Sequence, residues 1–129
     1  MQRLSFLRFA LLADAVASGA TGVLAFAGAG ILAELLGLPT ALLRYAGLSL
    51  FPYVAIVAYV GTRATISRPA VWAIIAYNTL WAIDSIVLLA SGQVSPTALG
   101  YAFVIVQAVA VAGLGALQYV GLRKQVVTA

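Results

Sequence analysis

The chain has no cysteine and no histidine, and only three of its 129 residues are acidic. Without cysteine there is no disulfide, no thiolate nucleophile and no iron–sulfur ligation. Without histidine the usual haem ligand and the usual proton-shuttling side chain are missing as well. Ser/His/Asp and Cys/His catalytic sets are therefore excluded. Charged residues of either sign make up 8% of the chain. That is too few to clothe a water-soluble domain of this length.

What is present is apolar. Hydrophobic residues account for 64% of the sequence, and the mean hydropathy is +1.12. Hydrocarbon about 30 Å thick needs roughly 20 apolar residues per helix, so four spans and their short loops use up the chain. It reads as all-α: an integral membrane four-helix bundle, one transmembrane domain over residues 1–129. The spans are expected at about 4–30, 40–61, 69–91 and 96–122, with an interfacial segment at 31–39 that carries Glu34 and ends at Pro39. Pro52 is expected to kink the second span, where it removes a backbone donor. Pro69 opens the third as a first-turn proline. The first stretch has the basic flank of a signal peptide in Arg3 and Arg8. Asp14 interrupts its apolar run, however, and the hydrophobic pattern continues to Ala29, so it is expected to stay as a span.

The basic residues set the expected orientation. Arg3, Arg8, Arg63, Arg68, Arg123 and Lys124 fall on one side of a four-span arrangement and only Arg44 on the other. This bias puts both termini and the middle loop of a multi-pass chain in the cytoplasm. The formal net charge of +4 belongs to that bias, and no nucleic-acid partner is expected. Arg44 and Glu34 are expected at the lipid headgroups, Arg44 snorkelling or pairing with Glu34. The halves also resemble each other. Leu38-Pro39-Thr40-Ala41-Leu42 matches Ser95-Pro96-Thr97-Ala98-Leu99, and Tyr59-Val60-Gly61-Thr62-Arg63 matches Tyr119-Val120-Gly121-Leu122-Arg123. A parallel two-helix repeat would give this pattern. So would chance, because Ala-rich apolar helices align easily.

Two of the three acids, Asp14 and Asp84, lie inside spans, where a carboxylate costs about 3 kcal/mol on insertion scales. On the first span Ala10, Asp14, Ser18, Thr21 and Ala25 share one small, polar face. Such a face serves either as glue between helices or as a cation or proton site. On the third span Tyr77, Trp81 and Asp84 form a stripe with Asn78 beside it. Trp81 sits far from the interface and needs a partner for its indole N–H. The stripe is either a pocket or a satisfied internal network. The fourth span adds Gln107 and Gln118 on one face, and a small-residue stripe, Ala108, Ala112, Gly115 and Ala116. The candidate ligand- or ion-binding residues are thus Asp14, Ser18, Thr21, Tyr77, Asn78, Trp81, Asp84 and Gln107. No catalytic residue, metal site or cofactor is expected.

The Gly-rich run Ser18-Gly19-Ala20-Thr21-Gly22, the Leu35-Leu36-Gly37-Leu38-Pro39 run, and Arg44 with Gly47 give the first half a layout that resembles the DoxX-like group of small bacterial four-span membrane proteins. The resemblance implies the four-span fold and a place in a bacterial inner (cytoplasmic) membrane, and carries little function with it. Small multidrug transporters also have four spans and a carboxylate in the first, but typically a Glu where this chain has Asp14. The leading functional expectation is an accessory or structural subunit of a larger membrane complex or homo-oligomer, not an enzyme. The alternative is a cation- or proton-coupled transporter or channel using Asp14 and Asp84. A further alternative is a lipid or quinone-like ligand binder at Trp81 and Asp84.

Overall fold

A computed structural model of the chain describes residues 5–128. Arg3 and Leu4, which the sequence places at the start of the first span, lie outside the described residues. Five helices follow one another: α1 (Phe6–Ala27), α2 (Ala29–Leu36), α3 (Thr40–Thr62), α4 (Arg68–Ser91) and α5 (Ala98–Thr128). There is no strand among the described residues. Four helices, all but α2, are long and apolar enough to cross a membrane. At 1.5 Å per residue, the 22 residues of α1 reach about 33 Å. Their outward faces suit lipid: Val16, Ile56, Val106 and Val109 are 73%, 57%, 66% and 67% exposed.

Local chemistry sets the helix ends. Ser5 Oγ accepts the Arg8 N–H at 3.0 Å and caps α1. The first span stops at Ala27, short of the expected Gly30, because Gly28 takes the C-cap and its N–H donates to Leu24 O. The short helix α2 therefore starts at Ala29, earlier than expected. It ends before Gly37, whose φ of 68° is the left-handed conformation that favours glycine. Ser67 caps α4 ahead of Pro69. Thr97 binds both neighbours of its loop: its Oγ1 accepts from Gly100 N and donates to Leu35 O. This ties the start of α5 to the end of α2. At the far end α5 runs on to Thr128, beyond the expected 122, since Arg123, Lys124 and Gln125 are good helix formers. Pro52 lies within α3, which continues through it.

The spans pack as two hairpins. α1 lies along α3 and α4 along α5, α1 also crosses α5, and α3 and α4 barely touch. One apolar cluster, including Leu7, Leu11, Val57, Val71 and Leu122, fills the arginine-rich end. Leu11, beside the small polar face of α1, is wholly buried. A second cluster, Ala29, Leu36, Leu38, Leu43 and Val104, fills the opposite end. Arg8 helps fasten the arginine-rich end by donating to Gly61 O at 2.6 Å and Arg63 O at 2.8 Å. It thereby satisfies carbonyls at the C-terminus of α3. Arg68 donates to Leu122 O.

Close helix crossings rest on glycine. A methyl group on Gly47 would stand 2.7 Å from Phe26 N and 2.8 Å from Gly22 O. Neither backbone atom can move without shifting α1 against α3. Gly47→Ala is therefore expected to lower stability by about 1–3 kcal/mol, read as the unfolding midpoint in detergent micelles. Gly113, with nothing near its added methyl, serves as the control. Gly113→Ala should leave the midpoint unchanged or raise it.

Candidate functional site

The middle of the bundle is polar. Asp14 of α1 is 1% exposed, Asn78 of α4 2% and Gln118 of α5 0%. Tyr53 of α3 is also buried, so every spanning helix contributes a polar side chain to the cluster. Tyr53 Oη lies 2.6 Å from Asp14 Oδ2 and 3.0 Å from Asn78 Oδ1. Asn78 Nδ2 donates to Asp14 Oδ2 at 3.1 Å and to Gln118 Oε1 at 3.0 Å. Gln118 Nε2 donates to Asp14 Oδ2 at 2.8 Å. Ser18, one turn along α1, donates to Asp14 Oδ1 at 2.8 Å. Buried polar atoms without a partner would be costly in lipid, and none occurs among the described residues.

A second, smaller cluster joins only α4 and α5. The Trp81 indole N–H donates to Gln107 Oε1 at 2.9 Å, and Gln107 Nε2 donates to Ser85 Oγ at 2.9 Å. Ser85 Oγ in turn donates to Trp81 O. Tyr77 links the two clusters. Its ring stacks on Tyr53 with centroids 4.3 Å apart and lies 6.0 Å from the Trp81 ring.

Because α3 and α4 barely touch, the bundle is open between them away from the arginine-rich end. The opening is a cleft of about 340 Å³ whose walls include Leu42, Ala46 and Leu50 of α3, Trp81, Asp84 and Leu88 of α4, and Phe103 of α5. A smaller cavity of about 80 Å³, bounded by Ser18, Tyr53, Tyr77, Asn78 and Trp81, lies between the cleft and the Asp14 cluster. Thr21 lines both, with its hydroxyl returned to Ala17 O. Asp84 is on the cleft wall and exposed. It has no hydrogen-bond or ion-pair partner among the described residues. On α4 it lies six residues beyond Asn78, about 9 Å farther from the arginine-rich end.

The eight sequence-stated candidates thus divide. Asp14, Ser18 and Asn78 form the buried cluster; Trp81 and Gln107 form the second; Thr21, Tyr77 and Asp84 line the space beside them. Asp14 and Asp84 do not share one site. Tyr53 and Gln118 were not among the candidates, although they complete the Asp14 cluster. Gln118 had been placed on the Gln107 face. Tyr53 could have been found as the one polar residue among the buried positions Leu43, Gly47, Leu50, Val57 and Val60 of α3. Tyr45, Ser49, Pro52 and Tyr59, on another side of that helix, are exposed. Glu34 and Arg44 are exposed and make no ion pair with each other. Trp72 and Tyr119 meet edge to face at the arginine-rich end, with Arg123 over the Tyr119 ring and Arg63 over Tyr59. No family model, curated protein or solved structure matches the chain.

Proposed function

We propose that this multi-pass membrane protein binds an amphiphile bearing a cationic or hydrogen-bond-donating group, taken from the bilayer into the cleft between α3 and α4. The observation that carries the reading is Asp84. It is a carboxyl group within a span, on the wall of a largely apolar cleft, with no partner among the described residues. The other polar groups of the wall, Trp81, Ser85 and Gln107, satisfy one another. An incoming ligand therefore finds one unmet acceptor, and a cation or donor answers it. The apolar walls suit an acyl or polycyclic body. We read the arginine-rich end as the cytoplasmic face of a bacterial inner membrane, from its charge bias. Transport coupled to both aspartates is less well supported, because Asp14 is enclosed and fully bonded.

The test uses the Trp72→Phe protein in nanodiscs, where Trp81 is the only tryptophan. Dodecylamine is expected to change its fluorescence saturably, and laurate, with an anionic head on a similar chain, is not. Asp84→Asn should weaken the amine by at least about tenfold, or 1.4 kcal/mol. Non-saturating partition that is the same in Asp84→Asn would overturn the reading.

The expectation of an accessory or oligomeric subunit has an observation of its own. A shallow apolar groove of about 410 Å³ runs along α4 and α5 and is floored by Ala82, Ala108 and Ala112. Small residues of this kind let another membrane helix approach closely. A detergent-corrected mass above that of one chain, reduced by Ala112→Leu, is the result that reading requires.

A further inference from the structure

The arginine-rich end gathers cations away from every acidic side chain of the sequence. Asp14 is bonded inside the bundle. Glu34 belongs to α2, which packs at the opposite end. Asp84 lies about 24 Å beyond Arg68 along α4. Arg8, Arg63, Arg68 and Arg123 thus meet at one end with no side-chain carboxyl among them. Like charges held together repel unless anions lie between them.

Two of these arginines are brought together by α4 and α5. Arg68, the first residue of α4, donates from Nη1 to Leu122 O at 3.1 Å. That bond sets its guanidinium beside the backbone of Arg123 and uses one of its five N–H donors. Arg123 is exposed and bonds no oxygen among the described residues. Its Cζ stands 5.9 Å from the centre of the Tyr119 ring. Trp72 meets the same ring edge to face, with centroids 5.7 Å apart, and both rings are exposed. Trp72 lies about 6 Å deeper than Arg68 along α4. The first turn of α4 holds no acid, so the helix dipole adds to the positive potential there.

We propose that Arg68 and Arg123 form a binding site for the phosphodiester of an anionic phospholipid, whose glycerol and upper acyl carbons lie against Trp72 and Tyr119. The order of groups along the bundle matches that ligand: charge at the helix ends, amphipathic rings next, apolar surface beyond. Guanidinium forks suit phosphate oxygens, and Trp and Tyr suit the boundary between headgroup and acyl chain. A zwitterionic lipid carries a cation beside its phosphate and gains less from two arginines.

The other hairpin shows what the site requires. Tyr59-Val60-Gly61-Thr62-Arg63 repeats the pattern of Tyr119 to Arg123, and Arg63 also stands over its tyrosine, 4.5 Å from the ring centre. There, however, the neighbouring Arg8 is committed to Gly61 O and Arg63 O. No tryptophan accompanies the ring, since Trp72 is at Tyr119 and Trp81 is at Gln107. The inference rests on neither the cleft nor the Asp14 cluster.

The test uses the Trp81→Phe protein in nanodiscs, where Trp72 is the only tryptophan, and quenching by lipids brominated on their acyl chains. Brominated phosphatidylglycerol is expected to quench Trp72 at lower mole fraction than brominated phosphatidylcholine. Arg123→Gln should reduce this preference about fivefold, the factor that one arginine near an anionic surface contributes. Arg68→Gln should act in the same direction. Arg63→Gln removes the same formal charge from the other hairpin and should leave the preference near the parent value. Equal quenching by the two lipids would overturn the proposal and leave the arginine pair to an acidic protein segment. Equal losses in Arg123→Gln and Arg63→Gln would overturn it too, since diffuse surface charge would then be the cause. Inorganic phosphate added to phosphatidylcholine discs should leave Trp72 emission unchanged. A saturable change that Arg123→Gln abolishes would overturn the lipid assignment in favour of a soluble phosphate.

Discussion

Asn78→Leu is expected to destabilise the protein by about 3 kcal/mol. Asn78 makes three hydrogen bonds, to Tyr53, Asp14 and Gln118, and interhelical bonds in membrane proteins contribute about 0.6–1.7 kcal/mol each. Leucine is close in size, so cavity formation adds little. The loss comes from taking the Asn78 donors away from Asp14 Oδ2 and from the buried Gln118 carbonyl. The measurement is the unfolding midpoint against SDS, started from lipid bicelles. Gln107→Leu, which breaks the α4–α5 cluster, should cost nearer 1 kcal/mol, because Gln107 is only half-buried and its partners open onto the cleft.

The companion expectation separates hydrogen bonding from general packing damage. Replacing Asp14, Tyr53, Asn78 and Gln118 at once with apolar residues, in the variant D14L/Y53F/N78L/Q118L, takes a partner only from the Ser18 hydroxyl, and a helical serine can return its proton to the carbonyl one turn back. Its midpoint should return to within about 1 kcal/mol of the parent, since an apolar core of similar volume often replaces a buried polar set without loss. A quadruple variant no better than the sum of its parts would mean that the four side chains act through shape and not through their shared bonds.

The spans were legible because their signal is collective. Long apolar runs bounded by Gly28, Gly37-Leu38-Pro39, Ser67-Arg68-Pro69 and Gly92 define helices whatever they pack against; the Gly28 cap moved the boundary between α1 and α2, and helix-forming residues carried α5 on to Thr128. The inward face of α1 was legible for a related reason. Asp14 is so costly in lipid that the face containing it had to turn inward, and Ala10 and Ala25 are buried beside it. Leu11 is the exception. It flanks that face, and α3 and α5 enclose α1 widely enough to bury it too.

The α3 contribution was not legible, because its polar residues are spread around the helix. Tyr45, Ser49 and Tyr59 make a more conspicuous stripe than the single Tyr53, yet their side of α3 faces outward. What selects the Tyr53 side is Gly47, which must meet Gly22 and Phe26 at close range. That contact is between helices and leaves no periodic mark in either one alone. The weak contact between α3 and α4 is likewise a property of assembly. No residue of either helix announces it, and without it Asp84 would be one more member of an internal network.

The two aspartates should therefore respond to the same substitution with opposite sign. Asp14→Leu removes the residue that all three other spans bond to and is expected to lower stability. Asp84→Leu removes a carboxyl that has no partner among the described residues. A carboxylate at the centre of a span costs about 2.5–3.5 kcal/mol, and Asp84 lies about 10 Å from the end of α4, so Asp84→Leu is expected to stabilise the fold by about 1–3 kcal/mol. The same change should abolish saturable dodecylamine binding, because the cleft then has no unmet acceptor. A residue that weakens the fold and is needed for binding is the usual mark of a functional site. If Asp84→Leu instead lowered the SDS midpoint, Asp84 would have a partner in the assembled protein, such as a second copy, and the cleft would be part of an interface and not a binding site.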